Sequence, residues 1–156
     1  DYFDEETQQH IVPYVIEPST GVDRVLLTLM IEAYCEEEVP TTSGKTDKRV
    51  LLKLHPAIAP IKVAVLPLSK NDKLTPIAKQ VYEIVKKRFV CEYDDTQSIG
   101  RRYRRQDEIG TPVCVTIDFQ TAEDDNAITI RSRDSMEQVR VPISGLIPAL
   151  TDLIDP

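Results

Sequence analysis

The run Ser98-Ile-Gly-Arg-Arg-Tyr-Arg-Arg-Gln-Asp-Glu-Ile-Gly110 sets four guanidiniums and one aromatic ring within five residues. Guanidiniums grip phosphate oxygens through paired hydrogen bonds, and a tyrosine ring offers a base a stacking face. At helical spacing Arg101, Arg104 and Arg105 share one face, Arg102 lies beside it, and Tyr103 is embedded among them. Stability alone favours acids at the start of a helix and bases at its end. Here the order is reversed: the arginines crowd the first turns, Asp107 and Glu108 close the segment, and Arg101 repels Arg105 four residues on. A local rule broken in this way points to a functional surface, and the chemistry is that of an RNA contact. Asp107 and Glu108 suit the exocyclic amines of cytosine or guanine; alternatively they tether the arginines. Arg131 and Arg133 are further candidates, equally readable as solvated strand residues. The competing reading of the whole segment is a solvated helix face laced with salt bridges.

A second constellation lies at Pro13-Tyr-Val-Ile-Glu-Pro-Ser-Thr-Gly-Val-Asp-Arg24. An apolar run ends in a carboxylate, Glu17, and a hydroxyl, Ser19, and a glycine turn then leads into a helix opening with Asp23 and Arg24. This offers an anion for an ammonium group and a guanidinium at a helix N-terminus suited to phosphate. The plain alternative is an ordinary turn with Asp23 as a cap and Arg24 on the surface.

Charge localises the first constellation. The net charge is −7, which by itself argues against a phosphate backbone as partner. Yet residues 1–44 carry a balance of −9, residues 45–110 one of +7, and residues 111–156 one of −5. A basic segment inside an acidic chain indicates a confined polyanion site. Cys35, Cys91 and Cys114 are odd in number and have no Cys-x-x-Cys spacing, so neither a disulfide framework nor a zinc site is expected, and a reducing compartment is. Two histidines, His10 and His55, give a triad or metal cluster little to build on. No apolar run approaches the ~20 residues of a membrane span. The acidic opening Asp1-Tyr-Phe-Asp-Glu-Glu6 is unlike a signal peptide and, lacking Met, reads as part of something larger.

These residues need elements to position them. Val12–Ile16 reads as a short strand or extended run, and Val25, Leu26, Leu29, Met30 and Ala33 recur at helical spacing. Residues 36–49 are polar and rich in turn formers, the make-up of a linker between domains. Strands are then expected over 50–54, 61–66, 89–93, 113–119, 128–131 and 138–141. Between them lie a helix opened by Thr75-Pro76, with Ile77, Ala78, Val81, Ile84 and Val85 as its buried stripe, and a second over 98–108 stopped by Gly110 and Pro112. Asp124-Asp125-Asn126 suits a hairpin turn, and residues 143–154 a last helix with Pro148 in its first turn or kinking it. Alternation at this spacing predicts an α/β fold: a mixed, mostly parallel sheet of about five strands flanked by helices.

The stretch EPSTGVDR, Glu17–Arg24, resembles motif 3 of the class II aminoacyl-tRNA synthetases in its glycyl-tRNA synthetase form. LKLHPAIAPIKVAVLPL, SIGRRYRRQDEIGTP, VTIDF and RSRDSMEQVRV resemble that family's C-terminal anticodon-binding domain. The resemblance implies three parts: residues 1–35 as a strand-loop-helix remnant of the catalytic domain, 36–49 as linker, and 50–156 as the anticodon-binding domain. It implies a cytoplasmic, homodimeric enzyme that activates glycine with Mg-bound ATP and charges glycine tRNA, with no membrane or DNA partner. Arg24 would hold the triphosphate end of ATP, Glu17 the glycine ammonium, and Ser19 would line the same pocket. Motifs 1 and 2 are missing, so this stretch alone is expected to bind the anticodon stem-loop without catalysing. The alternatives are a non-catalytic RNA-binding or regulatory module, and a protein–protein module docking an acidic partner.

Overall fold

The computed structural model describes residues 1–40, 44 and 46–155. The chain opens with a small antiparallel hairpin, β1 (Tyr2–Asp4) and β2 (Gln9–Ile11), followed by helix α1 (Val22–Ala33). α1 runs without a loop into β3 (Tyr34–Pro40), which pairs antiparallel with β4 (Thr46–Leu52) over seven residues.

The main sheet comprises β5 (Val63–Pro67), β6 (Cys91–Tyr93), β7 (Val113–Ile117), β8 (Ala127–Ser132) and β9 (Gln138–Pro142), in the order β6-β5-β7-β8-β9. β5 runs parallel to both β6 and β7; β8 and β9 are antiparallel to their neighbours. The sheet is therefore mixed, as the alternation predicts, with an antiparallel half of two strands.

β5 and β7 are buried along their whole length, which is why they read as continuous apolar runs. Residues of β5 alternate between faces. Val63 and Val65 pack with α2 (Leu74–Val85) and α4 (Leu146–Ile154), through Val81, Val85, Leu146 and Leu150. Ala64 and Leu66 face the other way, with Cys114, against Ile99 and Tyr103 of α3 (Ile99–Ile109). That second layer is thin and built on small residues, so α3 can bring bulky polar side chains close to the sheet. Burial pushes the Cys114 thiol up to about 12, leaving it a core hydrophobe and not a nucleophile.

One alternative is decided and one expectation is corrected. Of the two readings of residues 12–16, short strand or extended run, the strand is absent: the segment pairs with no strand and is exposed, with Tyr14 fully so. Alternation was absent there, and an apolar run without a pairing partner has nothing to fix it as a strand. Residues 36–40 and 46–49, expected as linker, are the β3–β4 hairpin, while 41–43 and 45 lie outside the described residues. Its ladder is held by complementary charges, with Lys48 2.6 Å from Glu36 and Lys53 2.6 Å from Glu37.

α3 ends where Gly110 takes a left-handed φ of 83°. A Cβ there would lie 2.9 Å from Leu54 Cδ1 and 3.1 Å from the Leu52 carbonyl, so the helix stop also admits the end of β4. Between β7 and β8 the expected Asp-Asp-Asn turn is present as a π-helical turn (Thr121–Asp125) closed by Asn126 at φ 50°. Arg140 of β9 straps it down, donating to Asp125 Oδ2 at 2.6 Å and Asp118 Oδ2 at 2.9 Å. Hydrogen bonds from Arg140 hold the Asp125 carboxyl at about 2, against an ordinary value of 3.8. Burial pushes Asp118 up, but hydrogen bonds from Arg140 and Thr121 outweigh it and hold it low. Both values are depressed in the folded chain, so the stabilisation is complete above the ordinary aspartate range and is lost as pH falls toward about 2. Arg140→Met is expected to flatten that acid dependence; urea midpoints at about pH 5 and about pH 2.5 measure it. A slope unchanged from wild type would remove the clamp from the acid response.

Candidate nucleic-acid interface

α3 has two faces, and the division runs through its arginines. Ile99, Arg102, Tyr103, Gln106 and Asp107 turn toward the sheet, whereas Arg101, Arg104, Arg105 and Glu108 follow the three- and four-residue spacing of the outer face.

On the inner face Arg102 is fully buried. It donates to the carbonyl oxygens of Pro67 and Asp94 and, at 3.0 Å, to that of Leu68. These are the C-terminal ends of β5 and β6, where strand carbonyls have run out of partners, so the guanidinium satisfies backbone acceptors that would otherwise be orphaned. Asp107, about 1% exposed, accepts from Arg49 Nε at 2.9 Å and from Arg131 Nη1 and Nη2 at 3.0 and 3.2 Å. Arg131 also lies 4.6 Å over the Tyr103 ring, whose hydroxyl meets Thr116 Oγ1 at 2.6 Å. Arg133 Nη1 donates to the Gly110 carbonyl at 2.8 Å, and its Nε pairs with Asp134.

This corrects the expected RNA-contact set. Arg102, Asp107, Arg131 and Arg133 are buried and hydrogen-bonded inside the protein, Arg102 through both terminal nitrogens while its buried Nε has no partner among the described residues, so their charges do not face a phosphate. The Tyr103 ring is already capped by Arg131. The reversed charge order of α3 has a structural cause in Arg102, which the strand ends require near the helix start. Arg49 was missed altogether: it is about 1% exposed, it donates to Asp107 and the Arg133 carbonyl, and its Nη1 reaches Glu37 at 3.0 Å.

The outer face keeps four candidates. Arg101 and Glu108 are exposed, with no hydrogen-bond partner among the described residues. Arg105 is 38% exposed and is steered by Asp94, Thr96 and, at 3.2 Å, Gln97 Oε1. Burial pushes the Asp94 carboxyl up, but the hydrogen bonds from Arg105 and Thr96 prevail and hold it below the usual range. Asp94 is thus a firm anion that fixes where Arg105 points. Arg104 is 31% exposed, with Nη2 2.9 Å from Asp47 Oδ2 of the hairpin.

The second constellation is laid out differently. Glu17 and Ser19 sit on the exposed, unpaired segment before α1, and Arg24 is exposed in the first turn of α1. Arg24 lines a shallow cleft of about 190 Å³ with Thr20, Thr28 and Leu29; Glu17 and Ser19 are not part of it. Most of α1 exposes its apolar side chains, Leu26, Leu27 and Ile31 each by more than half, and Ala33 alone is buried. Among the described residues no group of three His, Cys, Asp or Glu is placed to hold a metal, and no helix is long and apolar enough to cross a membrane.

Residues 62–153 match the family model described as "Anticodon binding domain". The chain is 58% identical over 142 residues to the glycine–tRNA ligase of Thermobifida fusca, a match covering 91% of this chain and 30% of that protein. It is 56% identical over 145 residues to that of Clostridium perfringens, covering 93% and 30%, and 53% identical over 145 residues to that of Corynebacterium glutamicum, covering 93% and 31%. The chain therefore spans about three tenths of the length of these relatives. Among solved structures it resembles prolyl-tRNA synthetase from Cryptosporidium parvum, crystallised with L-proline and AMP, at a TM-score of 0.60 and 25% identity over 67% of this chain and 23% of that one.

Proposed function

Because the chain belongs to the anticodon-binding domain family, we propose that it is the tRNA-reading portion of a glycine–tRNA ligase and that the outer face of α3 meets the anticodon loop. The observation that carries this reading is the cationic outer face within the matched residues. Arg101 is exposed on the outer face of α3, Arg104 and Arg105 stay partly exposed there although paired with Asp47 and Asp94, and Glu108 on the same face adds an acceptor suited to an exocyclic amine. Arginines that cross phosphates while a carboxylate reads a base edge divide affinity from specificity as RNA readers do.

Residues 1–35 are the end of the catalytic domain in this proposal. Arg24 meets the triphosphate of Mg-bound ATP at the start of α1, where the helix dipole favours an anion. Glu17 accepts from the ammonium of glycine and Ser19 completes the pocket. A substrate without a side chain must be selected through its ammonium and by steric exclusion, which suits a carboxylate there. The exposed apolar faces of α1 and of 12–16 fit packing against the rest of that domain, which the whole enzyme supplies along with its homodimer interface. The whole enzyme then works in the cytoplasm on glycine tRNA.

The test is binding to a stem-loop with the glycine anticodon, against a loop with its second and third anticodon bases changed. Preference for the glycine loop, falling steeply with salt, is the expected result. Glu108→Gln is expected to reduce that preference with little loss of affinity. Equal binding to both loops would leave a basic patch without readout and overturn the proposal.

A further inference from the structure

The β3–β4 hairpin meets α3 through two rungs of opposite polarity. On the inner rung the cation belongs to the hairpin: Arg49 donates to Asp107 at 2.9 Å, both about 1% exposed. On the outer rung the anion does: Asp47 Oδ2 accepts from Arg104 Nη2 at 2.9 Å, with the side chains 58% and 31% exposed. Residues two apart share a face of a strand and residues three apart share a face of a helix, so Asp47 with Arg49 and Arg104 with Asp107 are in register to form both rungs. The inner rung is desolvated and held from the far side by Arg131. The outer rung stands in water, where such a pair is weak and exchangeable. Its guanidinium belongs to the cationic face of α3 and offers Nη2 to the outside, while Nη1 is buried and without a partner among the described residues. A phosphate offers the same acceptor geometry as the Asp47 carboxylate.

We propose that Asp47 is a latch on Arg104: it occupies the position of an RNA phosphate, and RNA binding exchanges one anion for the other. This rests on the reading of α3 as the RNA-contacting face. Because Arg49 anchors the strand two residues away, the carboxylate is held in place and does not simply drift off. A phosphate delivered by a loop whose shape fits the rest of the face displaces it. A phosphate of an unstructured strand, with fewer supporting contacts, gains less from the exchange. Asp47 is then a specificity-determining residue that acts by penalising loose polyanion binding.

The experiment compares the full-length protein with its Asp47→Asn variant on two probes, the glycine-anticodon stem-loop and a polyuridine strand of equal length. Glu83→Gln is the control. It makes the same charge change in an exposed pair with Lys86 on α2, on the opposite side of the sheet. Asp47→Asn is expected to tighten polyuridine binding about two- to fivefold and to steepen its salt dependence by about 0.7 in log–log slope. The stem-loop should gain less, so discrimination narrows, while Glu83→Gln changes neither probe. In an Arg104→Ala background the effect of Asp47→Asn should vanish. Affinity and slope equal to wild type, or an effect that survives Arg104→Ala or is matched by Glu83→Gln, would overturn the latch. Failure of the wild-type protein to bind either RNA would overturn the interface reading and the latch with it.

Discussion

Replacing Asp107 with asparagine is expected to destabilise the protein by about 3–5 kcal/mol, the scale of breaking a buried ion pair from one side. The carboxylate accepts from two buried guanidiniums, Arg49 and Arg131. An amide of the same size would leave Arg131 without a carboxylate partner and Arg49 with Glu37 alone, and would turn an N–H group toward one of them. Three elements lose their common joint at once, since Arg49 lies on β4, Asp107 on α3 and Arg131 on β8. A fall of roughly 1–3 M in the urea midpoint would register it. Glu108→Gln, one residue further along the exposed side, should move the midpoint by no more than about 0.5 kcal/mol equivalent. A neutral result for Asp107→Asn would mean that the triad is not load-sharing and that Glu37 alone suffices for Arg49.

The second large effect separates adjacent arginines. Arg102→Ala deletes a buried side chain and leaves the carbonyls of Pro67, Leu68 and Asp94 without their donor. Only the Pro67 carbonyl is fully buried, those of Leu68 and Asp94 being within reach of water, so the unpaired acceptor and the lost packing together are expected to cost about 2–3 kcal/mol. Arg101→Ala, on the outer face, should leave stability within about 0.5 kcal/mol. It should instead weaken stem-loop binding and flatten the log–log salt dependence by about 0.7, one phosphate contact on a single strand. The pair of measurements, urea midpoint and salt-dependent affinity, should therefore sort the two variants into opposite columns. Arg102→Ala at wild-type stability with impaired RNA binding would put the inner face of α3 back among the RNA contacts.

That the most basic segment of the chain is half structural explains how far its sequence could be read. The helix itself was legible: Gly110 and Pro112 stop it, and the spacing of Arg101, Arg104 and Arg105 places them together. What could not be read was the inward turn of Arg102. Hydropathy treats an arginine as exposed, and the carbonyls that claim it lie some thirty residues upstream in the chain. A signal was available. With Ile99, Tyr103 and Ile109 as its sole apolar residues, this helix could cover a sheet only by burying polar ones at the same spacing. The hairpin was hidden for a related reason. Glu36, Glu37 and Glu38 look like linker, but residues 35, 37 and 39 turn inward, Glu37 meets Arg49 of the returning strand and Lys53 just past it, and Glu36 on the outer side meets Lys48. A charge pattern becomes a strand signal only when its complement is read with it. By contrast α2, β5 and β7 carry their evidence locally, in apolar stripes and runs that need no partner to be recognised. α2 begins at Leu74, one residue before the Thr75-Pro76 signal, with Asn71 Oδ1 accepting from the Lys73 N–H just ahead of it.

The strand order also sets the sequence of events in folding. β7, β8 and β9 follow one another along the chain and pair as neighbours, so this meander closes short loops and can form early. β5 is different. Its partner at the sheet centre is β7, with Val63 opposite Val113, and a whole helix, edge strand and second helix lie between. During synthesis β5 waits, apolar on both faces, with β6 its sole possible neighbour until β7 has been made. The pairing of β5 with β7 closes the longest loop in the sheet and is therefore expected to form after the meander.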